Sequence, residues 1–293
     1  MGDDRRWDLP LRLFAAVHYL VLAGVAPNAL SGRFEDFADA LDGHADEIRL
    51  RLAIDSVQTN EVQRCTFLLP AFLAAAAETG LPLELLELGP SAGLNLLADR
   101  YRYRYANGDW GLPGAQPVLV AREHGRRVPA SLLAQQLVVR HRRGIDLAPV
   151  DATTDEGYLL LRSFVWPGLD DRVARLEAAV ATLRELPDRP ELIAGDYVGL
   201  LPKLLRTRPD DALTVVFDTF STVYLPLEVE ERLKGSLEEA GDDGRPLAWL
   251  GIRRWDTASR RELFELELRV WPGPPRLAAY VDPHGNRLEW VLG

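Results

Sequence analysis

The sequence holds one cysteine, two lysines and five histidines in 293 residues. A single thiol, Cys65, excludes an internal disulfide framework and suits a reducing compartment, so the cytoplasm is the expected location. The scattered histidines and lone cysteine offer no zinc-ligand spacing, and no metal is expected. Positive charge is also short: 34 basic against 44 acidic residues leave −10 at pH 7. A phosphate backbone asks for a basic face, so a small molecule rather than nucleic acid is the expected partner. The apolar run Leu13–Ala26 is too short to cross a bilayer. It lacks the marks of a secretory signal too, because Asp3 and Asp4 stand where a positive leader belongs. A buried helix is the expectation, with no membrane attachment.

What is present is the composition of an ordinary globular protein, 47% apolar and 27% charged, long enough for a large core. Residues 11–80 carry apolar positions at helical spacing in three stretches, LRLFAAVHYLVLAG, FEDFADALDGHADEIRLRLAIDSV and NEVQRCTFLLPAFLAAAAETG. The first strand signal is Leu83–Leu88, and alternating strands and helices follow it, which implies a parallel sheet. The expected helices include Gly93–Arg100, Asp155–Phe164, Asp171–Leu186, Gly199–Arg206 and Leu227–Ala240. The expected strands end near Asp146, Ala194 and Asp218 and continue through PLAWLGIRR to a closing antiparallel pair. The division is therefore a helical cap (1–80) and a Rossmann-like domain (81–293). An insertion at about 101–139 is expected to pair RYRYRY with PVLVARE as a β-hairpin. Arg102, Arg104 and Trp110 would either face a substrate from that hairpin or simply solvate it.

The segment ELGPSAG supports two chemistries. As G-x-S-x-G it makes Ser91 a nucleophile, with Asp218 and His284 available in hydrolase order. Everything before it is helical, however, and no oxyanion segment precedes it. As a strand-loop-helix it makes Gly89, Ser91 and Gly93 the floor of a cofactor site, where backbone can approach a ligand closely. Acidic residues then stand at successive strand ends: Glu87, Asp146 and Asp196. Ligands in open α/β sheets bind at those ends, and a carboxylate there accepts ribose hydroxyls. Glu87 would repel a pyrophosphate, which favours S-adenosylmethionine over a dinucleotide.

QTNEVQRCTFLLPAF, ELGPSAGLNLLADRYRY, RRGIDLAPVD and FAAVHYLVLAG closely resemble the bacterial domain-of-unknown-function 2332 family over nearly the whole chain. The resemblance implies a methyltransferase-like fold and leaves the reaction unassigned. The family carries a histidine-bearing FH[ST]-type segment after the fourth strand, where this chain has FDTFSTVYLP with Asp218. In TNEVQR, Thr59 or Asn60 would cap a helix and Glu61 would favour its first turn. The functional alternative sets Asn60, Glu61 and Arg64 over the cofactor mouth, with Arg64 on the methionine carboxylate. The expectation is thus an α/β fold of the class I methyltransferase type, transferring a methyl group to a small molecule. Asp218, Ser221 and Tyr224 would stand on the acceptor side. A non-catalytic binding module and a serine hydrolase are the alternatives.

Overall fold

The computed structural model describes residues 8–253 and 263–293. These form two compact units, one of residues up to 60 with 150–180, the other of 61–149 with 181–293. Among the described residues no helix is long and apolar enough to cross a membrane.

The first unit is helical. It holds α1 (Leu9–Leu22), α2 (Phe34–Gly43), α3 (Ala45–Ile54) and α6 (Asp155–Ser163), and α7 (Asp170–Glu185) begins in it. Proline in the first turn of α1 suits a position whose N–H has no helical partner. Ala16, Val17 and Leu20 recur at helical spacing and bury one stripe of α1 against Ala29, Ala40 and Ile48. His18 is buried beside them with Nδ1 2.9 Å from the Ser163 carbonyl. Burial lowers its pKa, so the imidazole is neutral there.

The second unit is built on an eight-stranded sheet. Its strands are β1 (Leu83–Leu88), β5 (Val139–Asp146), β6 (Glu191–Ala194), β7 (Leu213–Asp218), β8 (Leu247–Arg253), β9 (Phe264–Val270), β10 (Arg276–Val281) and β11 (Leu288–Trp290). The spatial order is β11-β10-β9-β8-β7-β1-β5-β6. Five strands are parallel, and β9, β10 and β11 extend the β8 edge as an antiparallel meander. Side chains alternate across β7. Val216 packs with Leu201 and Leu205 of α8 (Tyr197–Leu205) and Leu233 and Leu237 of α9 (Leu227–Gly241). Phe217 meets Phe72 of α4 (Cys65–Thr79) edge to face at 5.1 Å between ring centroids. Helices therefore cover both faces, as a parallel sheet requires.

Three features differ from the sequence-based expectation. α4 belongs to the sheet's unit, while residues 150–180 join the N-terminal helices. Its apolar residues surround the helix, so residues 65–73 are buried all round, and only the last turn, with Ala77 and Glu78, is exposed. The insertion is a three-stranded sheet ordered β3-β2-β4, from β2 (Arg102–Tyr105), β3 (Gly108–Trp110) and β4 (Val118–Val120). RYRY pairs antiparallel with GDW, and VLV joins it in parallel. Ala106 and Asn107 alone link β2 to β3, so the hairpin closes at once on Gly108, which pairs with Tyr105. Residues Leu94–Arg100 form a 3-10 segment broken at Leu97 instead of an α-helix. Hydroxyls of Tyr101 and Tyr103 donate to the Leu94 and Ala98 carbonyls at 2.7 and 2.6 Å, competing for acceptors that a continuous helix would use.

Candidate functional site

Among the parallel strands the chain runs β1, β5, β6 to one side and then β7, β8 to the other. The order reverses between β1 and β7, and crevices in such sheets open at the carboxyl ends of the strands flanking that reversal. Glu87 stands there, 0% exposed. Thr219, just past β7, donates its hydroxyl to Glu87 Oε1 at 3.1 Å, and Asn95 Nδ2 approaches the same oxygen at 3.5 Å. Glu87 Oε2 has no hydrogen-bond partner among the described residues. Burial pushes the Glu87 carboxyl up to about 8, opposed by Thr219, Asn95 and the charge of Arg64, while Asp146 adds to the rise. Cys65 points its thiol at Asn95 Oδ1, 3.4 Å away. Burial, reinforced by Glu87, raises the pKa of that thiol, so it is no nucleophile.

The loop after β1 is held from two sides. Gly89 has φ +71°, and a Cβ on it would lie 2.6 Å from the Ser221 Cβ, so a side chain is excluded. Ser221 Oγ donates to the Leu88 carbonyl at 2.6 Å. Ser91 adopts φ +54°, a left-handed conformation that costs a non-glycine residue about 1–2 kcal/mol. Asp146 imposes it, because its Oδ2 accepts the Ser91 N–H at 2.8 Å. Asp146 Oδ1 also accepts from Ala148 N–H at 2.9 Å. Gly93, likewise left-handed at φ +72°, ends the loop.

Two further carboxylates and one phenol complete the sheet edge. Asp218 is buried, and its pKa rises to about 6 by desolvation, opposed by the N–H of Thr222 at 3.3 Å from Oδ2. Asp196 caps α8, accepting from Val198 N–H at 3.0 Å. Tyr197 follows it. Burial raises the pKa of its hydroxyl, and the charges of Asp218, Asp196 and Asp146 raise it further. The ends of β5, β6 and β7 therefore act on a single phenol.

Arg64 is buried behind this edge. Its Nε donates to the Pro283 carbonyl at 2.8 Å and its Nη1 to the Thr219 carbonyl at 2.9 Å, with the guanidinium over the Phe220 ring. That pairing fixes Thr219, and through it the Glu87 contact. Glu61 caps the 3-10 turn Val62–Arg64 through Gln63 N–H at 3.1 Å, a role the sequence had offered to Thr59 or Asn60. Asn60 is buried and closes the first unit.

The fold thus gathers Glu87, Gly89, Ser91, Gly93, Asp146, Asp196, Asp218 and Arg64 at one end of the sheet. Tyr224 lies apart on a 3-10 turn, 65% exposed. Arg102 is spent on Asp109 and Trp110 donates to the Gln135 carbonyl. Thr219, Asn95 and Tyr197 belong to the cluster, yet sequence spacing gave no sign of it. Asn95 and Tyr197 do sit inside the motifs GLN and GDY that flank the acidic strand ends. His284 is exposed in a turn that Asp282 closes through the His284 N–H at 2.7 Å.

A family model described as an uncharacterized protein conserved in bacteria (DUF2332) matches residues 2–290. No curated protein matches the chain. Among solved structures, a 1.95 Å crystal structure from Thermobifida fusca YX, described provisionally as a methyltransferase, is similar at 15% identity. The match covers 84% of this chain and 68% of that one, with a TM-score of 0.30.

Proposed function

The chain belongs to the bacterial DUF2332 family, and on that premise we propose that it binds S-adenosylmethionine beyond β1 and β7 and transfers the methyl group to a small molecule. The observation that carries this reading is Glu87, a wholly buried carboxylate with one oxygen lacking a partner among the described residues. A buried polar atom of this kind costs free energy until a donor or cation reaches it. The cofactor carries both an ammonium and a sulfonium, and either would draw the proton off Glu87 and pair with its charge. A pyrophosphate fits poorly, since it meets a carboxylate and a broken 3-10 turn in place of a full α-helix N-terminus.

Within this reading Gly89, Ser91 and Gly93 let the backbone approach the cofactor. Asp146 keeps the loop in place and retains lone pairs for ribose hydroxyls. Asp196 and Tyr197 border the adenine side. Arg64 orients Thr219 and so Glu87, and Glu61 serves by capping the turn that carries Arg64. When bound, the cofactor supplies an electrophilic methyl group. The protein contributes positioning and exclusion of water. Asp218, held near 6, would take a proton from an acceptor that needs deprotonation, and Tyr224 would border the acceptor from outside.

One observation favours a second reading. The positive φ of Ser91 is what a nucleophile elbow demands, so labelling of Ser91 by a fluorophosphonate would support a hydrolase. A thermal-shift titration separates the two. S-adenosylmethionine and S-adenosylhomocysteine are expected to raise the melting midpoint where NAD does not. A midpoint unmoved by either ligand at high concentration would count against the methyl-transfer reading.

A further inference from the structure

β5 carries Arg140, His141, Arg142 and Arg143 in succession, and its neighbour β6 begins only opposite Arg143, so this half of the strand is paired on the β1 side alone. An open edge tolerates charge, and the run concentrates three guanidinium groups and an imidazole at one place. These residues occupy the first half of β5, at the edge of the sheet opposite Glu87. A cavity of about 400 Å³ opens there, a volume suited to a small ligand.

The three arginines divide by what they touch. Arg142 is not presented to a guest, because its side chain is 3% exposed and its Nη2 is bound to Asp99 at 2.6 Å. Arg143 meets Glu84 through a single contact at 3.3 Å, and Arg140 meets Asp211 at the rim. Across the cavity Arg189 donates to the Arg184 carbonyl at 3.0 Å. A guanidinium has five N–H donors, so most of those on Arg140, Arg143 and Arg189 remain for a ligand. Glu191 lies beside Arg143 in the strand register and lines the same cavity.

We infer that this cleft binds the phosphate group of a small phosphorylated molecule. Planar guanidinium forks bind phosphate oxygens two at a time, which a monovalent ion such as chloride cannot exploit. Glu84, Asp188 and Glu191 line the same cleft and offset the arginine charge, so it rewards only an anion that makes several directed hydrogen bonds. The same balance predicts that removing the Glu191 charge tightens binding. The site is independent of the methyl-transfer reading.

The test is titration of the full chain with inorganic phosphate and pyrophosphate, followed by melting midpoint and by equilibrium dialysis. Chloride at equal ionic strength and citrate serve as controls. Phosphate and pyrophosphate are expected to bind and to raise the midpoint. Arg189→Gln, exposed and tolerable to the fold, is expected to weaken binding about tenfold, the loss of one charge-assisted contact. Arg143→Gln should weaken it likewise, Glu191→Gln should strengthen it, and Glu87→Gln should leave it unchanged. An equal response to chloride, citrate binding as well as phosphate, or indifference to Arg189→Gln and Glu191→Gln would each overturn the assignment.

Discussion

Replacing Glu87 by glutamine is expected to stabilise the protein at neutral pH, the opposite of what most buried substitutions do. The folded carboxyl is held near 8 against an ordinary 4.5. Between those values the folded state keeps a proton that the unfolded chain has released, so stability falls as pH rises. The cost is about 1.4 kcal/mol for each pH unit. It is absent below about pH 4.5, reaches about 3 kcal/mol at pH 7 and levels off near 5 kcal/mol above pH 8. Glutamine keeps the oxygen that Thr219 and Asn95 bind, while its amide group needs a partner and takes back about 1 kcal/mol. The net gain at pH 7 is therefore about 2 kcal/mol. Urea unfolding of both proteins at about pH 5, 7 and 8.5 measures it. Asp218, raised to about 6, titrates in both proteins and cancels in the difference. A difference that stays flat from pH 5 to 8.5, or a variant less stable at pH 8.5 than the parent, would refute the assignment of Glu87 as a buried carboxyl with an unmet oxygen.

Three other substitutions probe the loop. Gly89→Ala places a methyl against the Ser221 Cβ and forces a left-handed alanine, which should cost about 2–4 kcal/mol in thermal or urea unfolding. Asp146→Asn keeps one acceptor and loses the other, so the Ser91 and Ala148 N–H groups cannot both be satisfied. A loss of about 1–2 kcal/mol is expected, with weaker binding of S-adenosylhomocysteine in calorimetry. Ser91→Gly relieves the left-handed strain at the price of chain entropy and should raise stability by about 0.5 kcal/mol. It should also leave cofactor binding intact, which a role confined to hydrolysis predicts as well, so fluorophosphonate labelling of the parent decides between them.

The parallel sheet was legible where burial and turn chemistry agree. β6 and β7 end at Ala194 and Asp218, where the apolar runs stop and polar loop residues begin. β1 likewise stops at the glycine that its turn requires. The acidic residues at these ends were visible for the same reason. Elsewhere a tertiary partner decided the outcome. The Gly93–Arg100 stretch has helical spacing, and the tyrosine hydroxyls of the insertion compete for its carbonyls. α4 looks like its N-terminal neighbours in sequence, yet Phe72 finds Phe217 some 145 positions along the chain. Thr219 and Asn95 were hidden because a hydroxyl and an amide become site residues only when a distant carboxylate is brought to them. That Asp146 binds the loop backbone was equally hidden, since a strand-end carboxylate reads alike whether it holds a ligand or a turn.

The most direct measurement is equilibrium dialysis of the full chain against radiolabelled S-adenosylmethionine at neutral pH. One equivalent bound, displaced by S-adenosylhomocysteine and lost in a folded Glu87→Gln protein, is the predicted result. Absence of binding by the folded parent protein, or binding that Glu87→Gln leaves untouched, would contradict the account.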